Sequence, residues 1–294
     1  MLFVATSERK LAGKVRHAAS CPRSKAARAE SQALPSCMRL YYMTTLETLE
    51  QFILPEQQIR ISTFNTVNDP FELLGAIRGG KVGQRNFRWL RDHWTNTMGF
   101  ISFSDNWRSP LMWAHYARNH TGVCLGLEMT EKTPLKMKYE PSRVALQVDF
   151  QRFENAADIE LLENLVATKF QEWEYEHEWR ILLPLEYDPK QSKPQYFYEQ
   201  FTPGFELREI ILGARCERSL QEVSNHVFGV TAPVTVKRAR PAFDNFSMVQ
   251  QKLQQPITVH PPGNFTKGEL RLAAAKRIAS ARDAERALKR IKPI

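Results

Sequence analysis

Acidic and bulky residues alternate strictly over residues 173–180, W-E-Y-E-H-E-W-R, with Glu174, Glu176 and Glu178 at every second position before Arg180. A strand points successive side chains to opposite faces, so this alternation predicts a half-buried strand. Its acidic face would carry Glu174, Glu176, Glu178 and Arg180, and its other face Trp173, Tyr175, His177 and Trp179. On a helix the same spacings would scatter around the barrel. What the acidic face looks at becomes the functional question.

Similar patterns organise most of the chain. Residues 39–43 read as a short strand, and Thr44 or Thr45 caps a helix with Leu46, Leu49, Phe52 and Ile53 on one face, ended by Pro55. Residues 59–62 form the next strand, followed by the loop Asn68-Asp69-Pro70-Phe71-Glu72 and a polar helical stretch over 81–95. Residues 100–104 alternate like a strand. Ser109 caps a helix with Pro110 at its first position, running to about Asn119. Strands follow at 123–127 and 143–150, and an amphipathic helix over about 156–172 leads into the acidic strand. Strands at 207–213 and 234–236 flank a helix near 218–228, and residues 267–291 form an Ala-rich basic helix with a thin apolar stripe. Segregated helices and short, mainly antiparallel strands predict a single mixed α+β domain. It spans residues 39–250. Residues 1–38 read as a disordered or untranslated extension, with Met38 the true start, and residues 251–294 as a linker and the basic C-terminal helix.

Charge changes this picture little. The net charge of +9 comes from the tails, +5 over residues 1–38 and +6 over 264–294, which leaves −2 for residues 39–263. A nearly neutral body is no electrostatic funnel for nucleic acid, although the tails allow weak, salt-sensitive contact with nucleic acid or a protein. No run approaches the ~20 apolar residues of a membrane helix, so no membrane partner is expected. Cys21, Cys37, Cys124 and Cys216 are scattered without a paired spacing. They suggest neither a zinc cage nor a disulfide framework, and a reducing cytoplasm fits.

Four polar groups of residues carry candidate chemistry. Asn68, Asp69 and Glu72 sit on a Pro-stiffened loop after a strand, where ligands are often held but where Asn and Asp also simply form turns. Ser102 and Ser104 share one strand face, with no G-x-S-x-G elbow around either. The stretch 112–120 is dense in rings, with Trp113, His115 and His120. The five-residue spacing of its histidines does not match the zinc-binding H-E-x-x-H, and a structural histidine is the simpler reading. The sharpest signal is the acidic strand. A rise of ~3.3 Å per residue puts Glu176 and Glu178 ~6–7 Å apart, with Arg180 beyond. Such pairs serve acid–base chemistry or stabilise a sugar cation; a solvated ion pair is the plainer alternative.

The motifs N-D-P-F-E (68–72), S-F-S (102–104), L-M-W-A-H-Y-A-x-x-H-x-G-V-C (111–124) and W-x-Y-E-x-E-W-R (173–180), after a Tyr-rich first strand at 40–45, together resemble a widespread bacterial domain of unknown function. Members of that family often occur with mobile or defence-related genes. A more distant similarity is to ADP-ribosyltransferase-like folds, which order a first strand bearing His or Arg, an S-T-S strand and a late E-x-E strand. Here Leu40-Tyr41-Tyr42, Ser102-Phe103-Ser104 and Glu176-His177-Glu178 follow that order, although Tyr42 or Met43 stands where His or Arg would be. This resemblance implies a nucleotide-like ligand, with NAD as substrate. Glu178 would bond its ribose and stabilise positive charge, Glu176 would orient the acceptor, and Ser102 would support the ribose. Tyr42, Asn68, Asp69, Ser104, Trp113, His115 and Arg180 complete the expected ligand-binding set, with no metal. Two rivals stand beside it: a non-catalytic sensor or interaction module of a defence system, and a metal-dependent nuclease-like hydrolase using Asp69, Glu72 and His115.

Overall fold

In a computed structural model, a run of thirteen strands and a few short helices is described over residues 37–64, 66–67, 69, 71, 92, 95–143, 166–187 and 195–261. Asn68, Glu72, the anticipated strand at 143–150 beyond Arg143, the helical stretch at 81–95 apart from Asp92 and Thr95, residues 156–165 of the stretch at 156–172, and the basic segment 267–291 lie outside the described residues. The strands are β1 (Met38–Thr44), β2 (Gln58–Ile61), β3 (Met98–Ser104), β4 (Val123–Met129), β5 (Leu135–Lys136), β6 (Lys138–Glu140) and β7 (Thr168–Phe170). They continue as β8 (Glu178–Pro184), β9 (Phe197–Gln200), β10 (Phe205–Leu212), β11 (Val234–Pro241), β12 (Met248–Gln250) and β13 (Ile257–Val259).

Nine strands share one sheet in the order β12-β11-β10-β4-β1-β3-β8-β5, with β13 also on β11. Its pairings are antiparallel except β10 with β11, so the fold is α+β. The sheet continues through β13, past the boundary expected at residue 250. β4 lies between β1 and β10 and is buried along most of its length, which explains its unbroken apolar run V-C-L-G-L.

The two faces differ. One carries the main core, with Leu40, Ile101, Leu125, Ile181, Ile210 and Val234. The other holds a smaller cluster of Trp107, Trp113, Cys124, Ile211 and Met248. Because side chains alternate, Leu40 faces the first cluster and Tyr41 the second. The second cluster stops short of the β3–β8 end of that face, and there the polar residues gather.

Helix signals were read well at their starts and less well at their ends. Thr45 accepts the Thr48 N–H, and Ser109 caps Pro110–Tyr116. The first helix runs on through a π-helical turn at Leu49–Ile53 to Leu54–Glu56, so Pro55 does not end it; Gln57, left-handed at φ 52°, does. The second stops at Tyr116 rather than near Asn119, because Arg118, Asn119 and His120 all have positive φ. That tight turn is packed against the end of β10: Gly213 N–H donates to Gly122 O at 2.9 Å, and Arg215 N–H to His120 O at 3.0 Å. A Cβ on Gly213 would lie 2.1 Å from His120 O, and one on Gly122 2.3 Å from Thr44 O. Both positions therefore need glycine.

The largest correction falls on the acidic run. Gln171–Glu176 is a 3-10 helix, His177 is left-handed at φ 46°, and only Glu178 onward is strand. Residues 168–170, expected to be helical, form β7. A 3-10 helix eclipses residues three apart, so Trp173 and Glu176 share a face while Glu174 is left exposed.

Candidate functional site

Three neighbouring strands supply the floor of a cleft of about 230 Å³. Register sets Tyr41 opposite Ser104, Ser104 opposite Glu178 and Ser102 opposite Arg180. Directly opposed residues point the same way, so two hydroxyls, a carboxylate and a guanidinium project together from β3 and β8. The 3-10 helix adds Trp173 and Glu176, β7 adds Lys169, and the helix Pro110–Tyr116 adds Tyr116.

Glu178 is held on every side. Oε1 accepts from Ser102 Oγ at 2.6 Å and Arg180 Nε at 2.7 Å; Oε2 accepts from Lys169 Nζ at 3.0 Å and Arg180 Nη2 at 3.1 Å. Four bonds take up the acceptor capacity of a carboxylate. Its backbone N–H donates to Tyr139 Oη at 2.8 Å, and Tyr139 lies beside Lys169 in the β6–β7 register. Arg180 also donates to Val166 O at 3.0 Å and lies 4.5 Å over the Phe100 ring. Burial raises the Glu178 carboxyl, but Arg180 and Lys169 outweigh it and bring it down to about 2.

Glu176 is held more loosely. Oε1 accepts from the Tyr116 hydroxyl and Oε2 from the Lys169 ammonium, so each oxygen keeps a free lone pair among the described residues. Burial pushes its carboxyl above the usual range; Lys169 and Tyr116 only partly offset this, and the Glu178 charge adds to the rise. The Lys169 ammonium, 4.8 Å over the Trp173 ring, is penalised by burial but held charged by Glu178 and Glu176. Two acids and two bases are buried together. Such a set survives only with its bonds complete, since each isolated ion would cost several kcal/mol.

The anticipated residues divide clearly. Tyr42, Asp69, Ser102, Ser104, Glu176, Glu178 and Arg180 line this cleft. Asp69 is buried and accepts the Phe71 N–H at 2.8 Å, so it also makes the turn that its sequence neighbours suggested. Ser104 Oγ accepts the Asn106 N–H at 3.1 Å, leaving the direct carboxylate contact to Ser102. Asn68 lies outside the described residues.

Two expected ligand contacts are not part of the cleft. Trp113 is fully buried in the smaller apolar cluster, with its indole N–H on Trp107 O at 2.6 Å, because its helical position faces the sheet. His115, two positions on, is exposed and rests 5.9 Å from the Tyr175 ring. It is not among the residues that line the cleft with Asp69, and Glu72, the third member of the metal-dependent reading, lies outside the described residues. Among the described residues no group of three His, Cys, Asp or Glu side chains is placed to hold a metal ion.

Lys169, Tyr116, Tyr139 and Trp173 were not anticipated. Lys169 follows the apolar positions of a stretch read as helix, where a lysine ordinarily reaches solvent. Tyr116 and Trp173 lie inside motifs that were recognised. Only folding shows that Tyr116, and not its neighbours Trp113 or His115, reaches the carboxylates.

Residues 112–181 match the model of a family described as a protein of unknown function, DUF2971, and so the matched stretch runs from the helix Pro110–Tyr116 to the acid pair. No curated protein and no solved structure matches the chain. No helix of the described residues is long and apolar enough to cross a membrane.

Proposed function

We propose that the cleft binds a nucleotide-like ligand, with NAD the leading candidate, and that the acid pair cleaves the bond between its ribose and the leaving base. The observation that carries this reading is the opposite displacement of two adjacent carboxyls, Glu178 down and Glu176 up. Environments that separate a pair in this way divide its acid and base roles. Glu178 stays ionised between Arg180 and Lys169 and presents the negative end of a fixed ion pair toward a developing ribosyl cation. Its hydrogen-bonding capacity is already used, so its role is electrostatic rather than direct ribose bonding. Glu176 has free lone pairs among the described residues and a carboxyl that burial pushes above its usual range, which suits a general base. In the step, the C–N glycosidic bond breaks and its electron pair leaves with the base. An acceptor oxygen, from water or a target hydroxyl, bonds to the ribose carbon and gives its proton to Glu176. The side-by-side arrangement of the Tyr41, Ser102–Ser104 and Glu178 strands supports the similarity to ADP-ribosyltransferase-like folds.

A second reading is favoured by the full complement of bonds on Glu178. A neutral, mutually satisfied set of four ions is also what a rigid sensor pocket needs to hold a ligand without changing it. Calorimetric titration with NAD, together with NMR detection of released nicotinamide, separates the two. The enzyme reading expects binding and release, with release falling 10²–10⁴-fold in Glu176→Gln while binding persists. Binding without release favours the sensor. Absence of any nucleotide binding overturns both.

A further inference from the structure

Across the turn that ends β2 lies a second cavity, about 440 Å³, whose wall shares Thr66 with the carboxylate cleft. The partition is well defined: Thr66 N–H donates to Thr63 O at 2.9 Å, and Thr63 N–H donates to Thr66 Oγ1 at 3.2 Å. This cavity has the chemistry of a binding site. Thr95 lines it and is 94% buried by its 6% exposure, yet its Oγ1 has no hydrogen-bond partner among the described residues. A buried hydroxyl without a partner costs about 1–3 kcal/mol, which a ligand atom would recover. Tyr187 and Tyr196 offer aromatic surface, and Tyr196 is 56% exposed although it lies in a cavity wall.

Arg60 is the cation of the second cavity. It lines the second cavity with its guanidinium 4.5 Å over the Tyr196 ring, and no acidic partner meets it among the described residues. Its charge also reaches Tyr42 in the wall of the first cleft. A guanidinium with no acidic partner among the described residues, in the wall of the cavity that shares Thr66 with the cleft, suits a phosphate, which it binds in a forked geometry.

We propose that the second cavity is a base subsite, and that the ligand of the whole site is a dinucleotide lying across the Thr63–Thr66 turn. Its diphosphate meets Arg60, its distal base stacks against Tyr196, and the base edge hydrogen-bonds to Thr95. This inference rests on the nucleotide reading of the carboxylate cleft and goes beyond it by requiring two bases.

Calorimetry with three probes, NAD, nicotinamide mononucleotide and AMP, tests the inference on the full-length protein. The wild type is expected to bind NAD at least tenfold more tightly than nicotinamide mononucleotide. Arg60→Ala and Tyr196→Ala should each lower NAD affinity about tenfold and leave the mononucleotide unaffected. Both side chains lie at the surface, and thermal melts check that the fold persists. Thr95→Val is a third arm, which should weaken NAD and AMP binding several-fold while keeping or raising the melting temperature. Equal affinities for NAD and the mononucleotide, or variants that weaken both alike, would overturn the base subsite and leave the cleft reading intact. Failure of the mononucleotide with AMP still bound and sensitive to Tyr196→Ala would instead sink the glycosidic reading and support the base subsite. Failure of all three probes overturns both.

Discussion

Glu176 and Glu178 share one ammonium, that of Lys169, yet their carboxyls are driven in opposite directions. The difference comes from the second cation. Arg180 grips Glu178 through two nitrogens, whereas among the described residues Glu176 has the Tyr116 hydroxyl alone beyond Lys169. One carboxylate is thereby fixed as an ion and its neighbour is left able to exchange a proton.

The fixed ion makes stability depend on acid. Glu178 is depressed from 4.5 to about 2, so its contribution is complete above the unfolded value and lost as pH falls from about 4.5 through about 2. The full linkage is worth roughly 3 kcal/mol. Urea unfolding of Glu178→Gln across pH 6 to 2 should show a flatter acid limb than the wild type. Parallel acid limbs would mean that Glu178 is not held ionised.

Removing Lys169 should be costly because it strips the shared cation from two buried acids. Lys169→Met is expected to lose about 3–5 kcal/mol in urea melts at pH 8. The loss should shrink as pH falls, because Glu176, whose carboxyl burial already pushes up, is relieved by taking a proton. Adding Glu176→Gln should restore part of the stability at pH 8 for the same reason. A Lys169→Met protein as stable as the wild type at pH 8 would contradict a buried ammonium there.

How much of this could be read from the chain depended on the range over which each residue acts. β1, β3 and β10 were legible because their apolar strand signals are local in sequence. The acid run misled because six residues of 3-10 helix, with bulky groups at Trp173 and Tyr175, imitate period two when only Glu174, Glu176 and Glu178 are counted. Glu176 and Glu178 still emerged as the pair of interest, but the strand reading kept Glu174 on their face, whereas the 3-10 helix leaves it exposed. Lys169 stayed hidden because only the 3-10 turn, read instead as strand, folds Glu176 and Glu178 back onto it. The ring density at 112–116 marked the right helix, but a helix can present only one of its faces. Here that arrangement sends Trp113 to the core, His115 to solvent and Tyr116 to Glu176.

The glycines at 122 and 213 give a prediction independent of the site. A Cβ on Gly213 would overlap His120 O, a backbone atom in a turn already held by three successive positive-φ residues. Relief would require moving β10 from that turn and breaking the Gly213–Gly122 hydrogen bond. Gly213→Ala is therefore expected to destabilise the fold by about 1–3 kcal/mol in a urea melt. Gly204→Ala is a useful comparison, since there the near atoms belong to the flexible Glu131 side chain and the cost arises from φ 93°. An unchanged midpoint in Gly213→Ala would show that the turn and β10 are not in register as described.

The general-base role proposed for Glu176 can be tested through Tyr116, whose hydroxyl contacts the carboxyl. Its hydrogen bond favours the ionised carboxylate and so holds the Glu176 carboxyl down against burial. Tyr116→Phe removes that bond and should raise the Glu176 carboxyl further. A general base works only when ionised, so nicotinamide release should rise with pH through the Glu176 titration and level off above it. In Tyr116→Phe the rising limb should move to higher pH, while the plateau rate changes much less than it does in Glu176→Gln. Glu176→Gln itself should lose the limb altogether. A limb that stays in place in Tyr116→Phe, or survives in Glu176→Gln, would assign the titration to another group and remove Glu176 from the proton transfer.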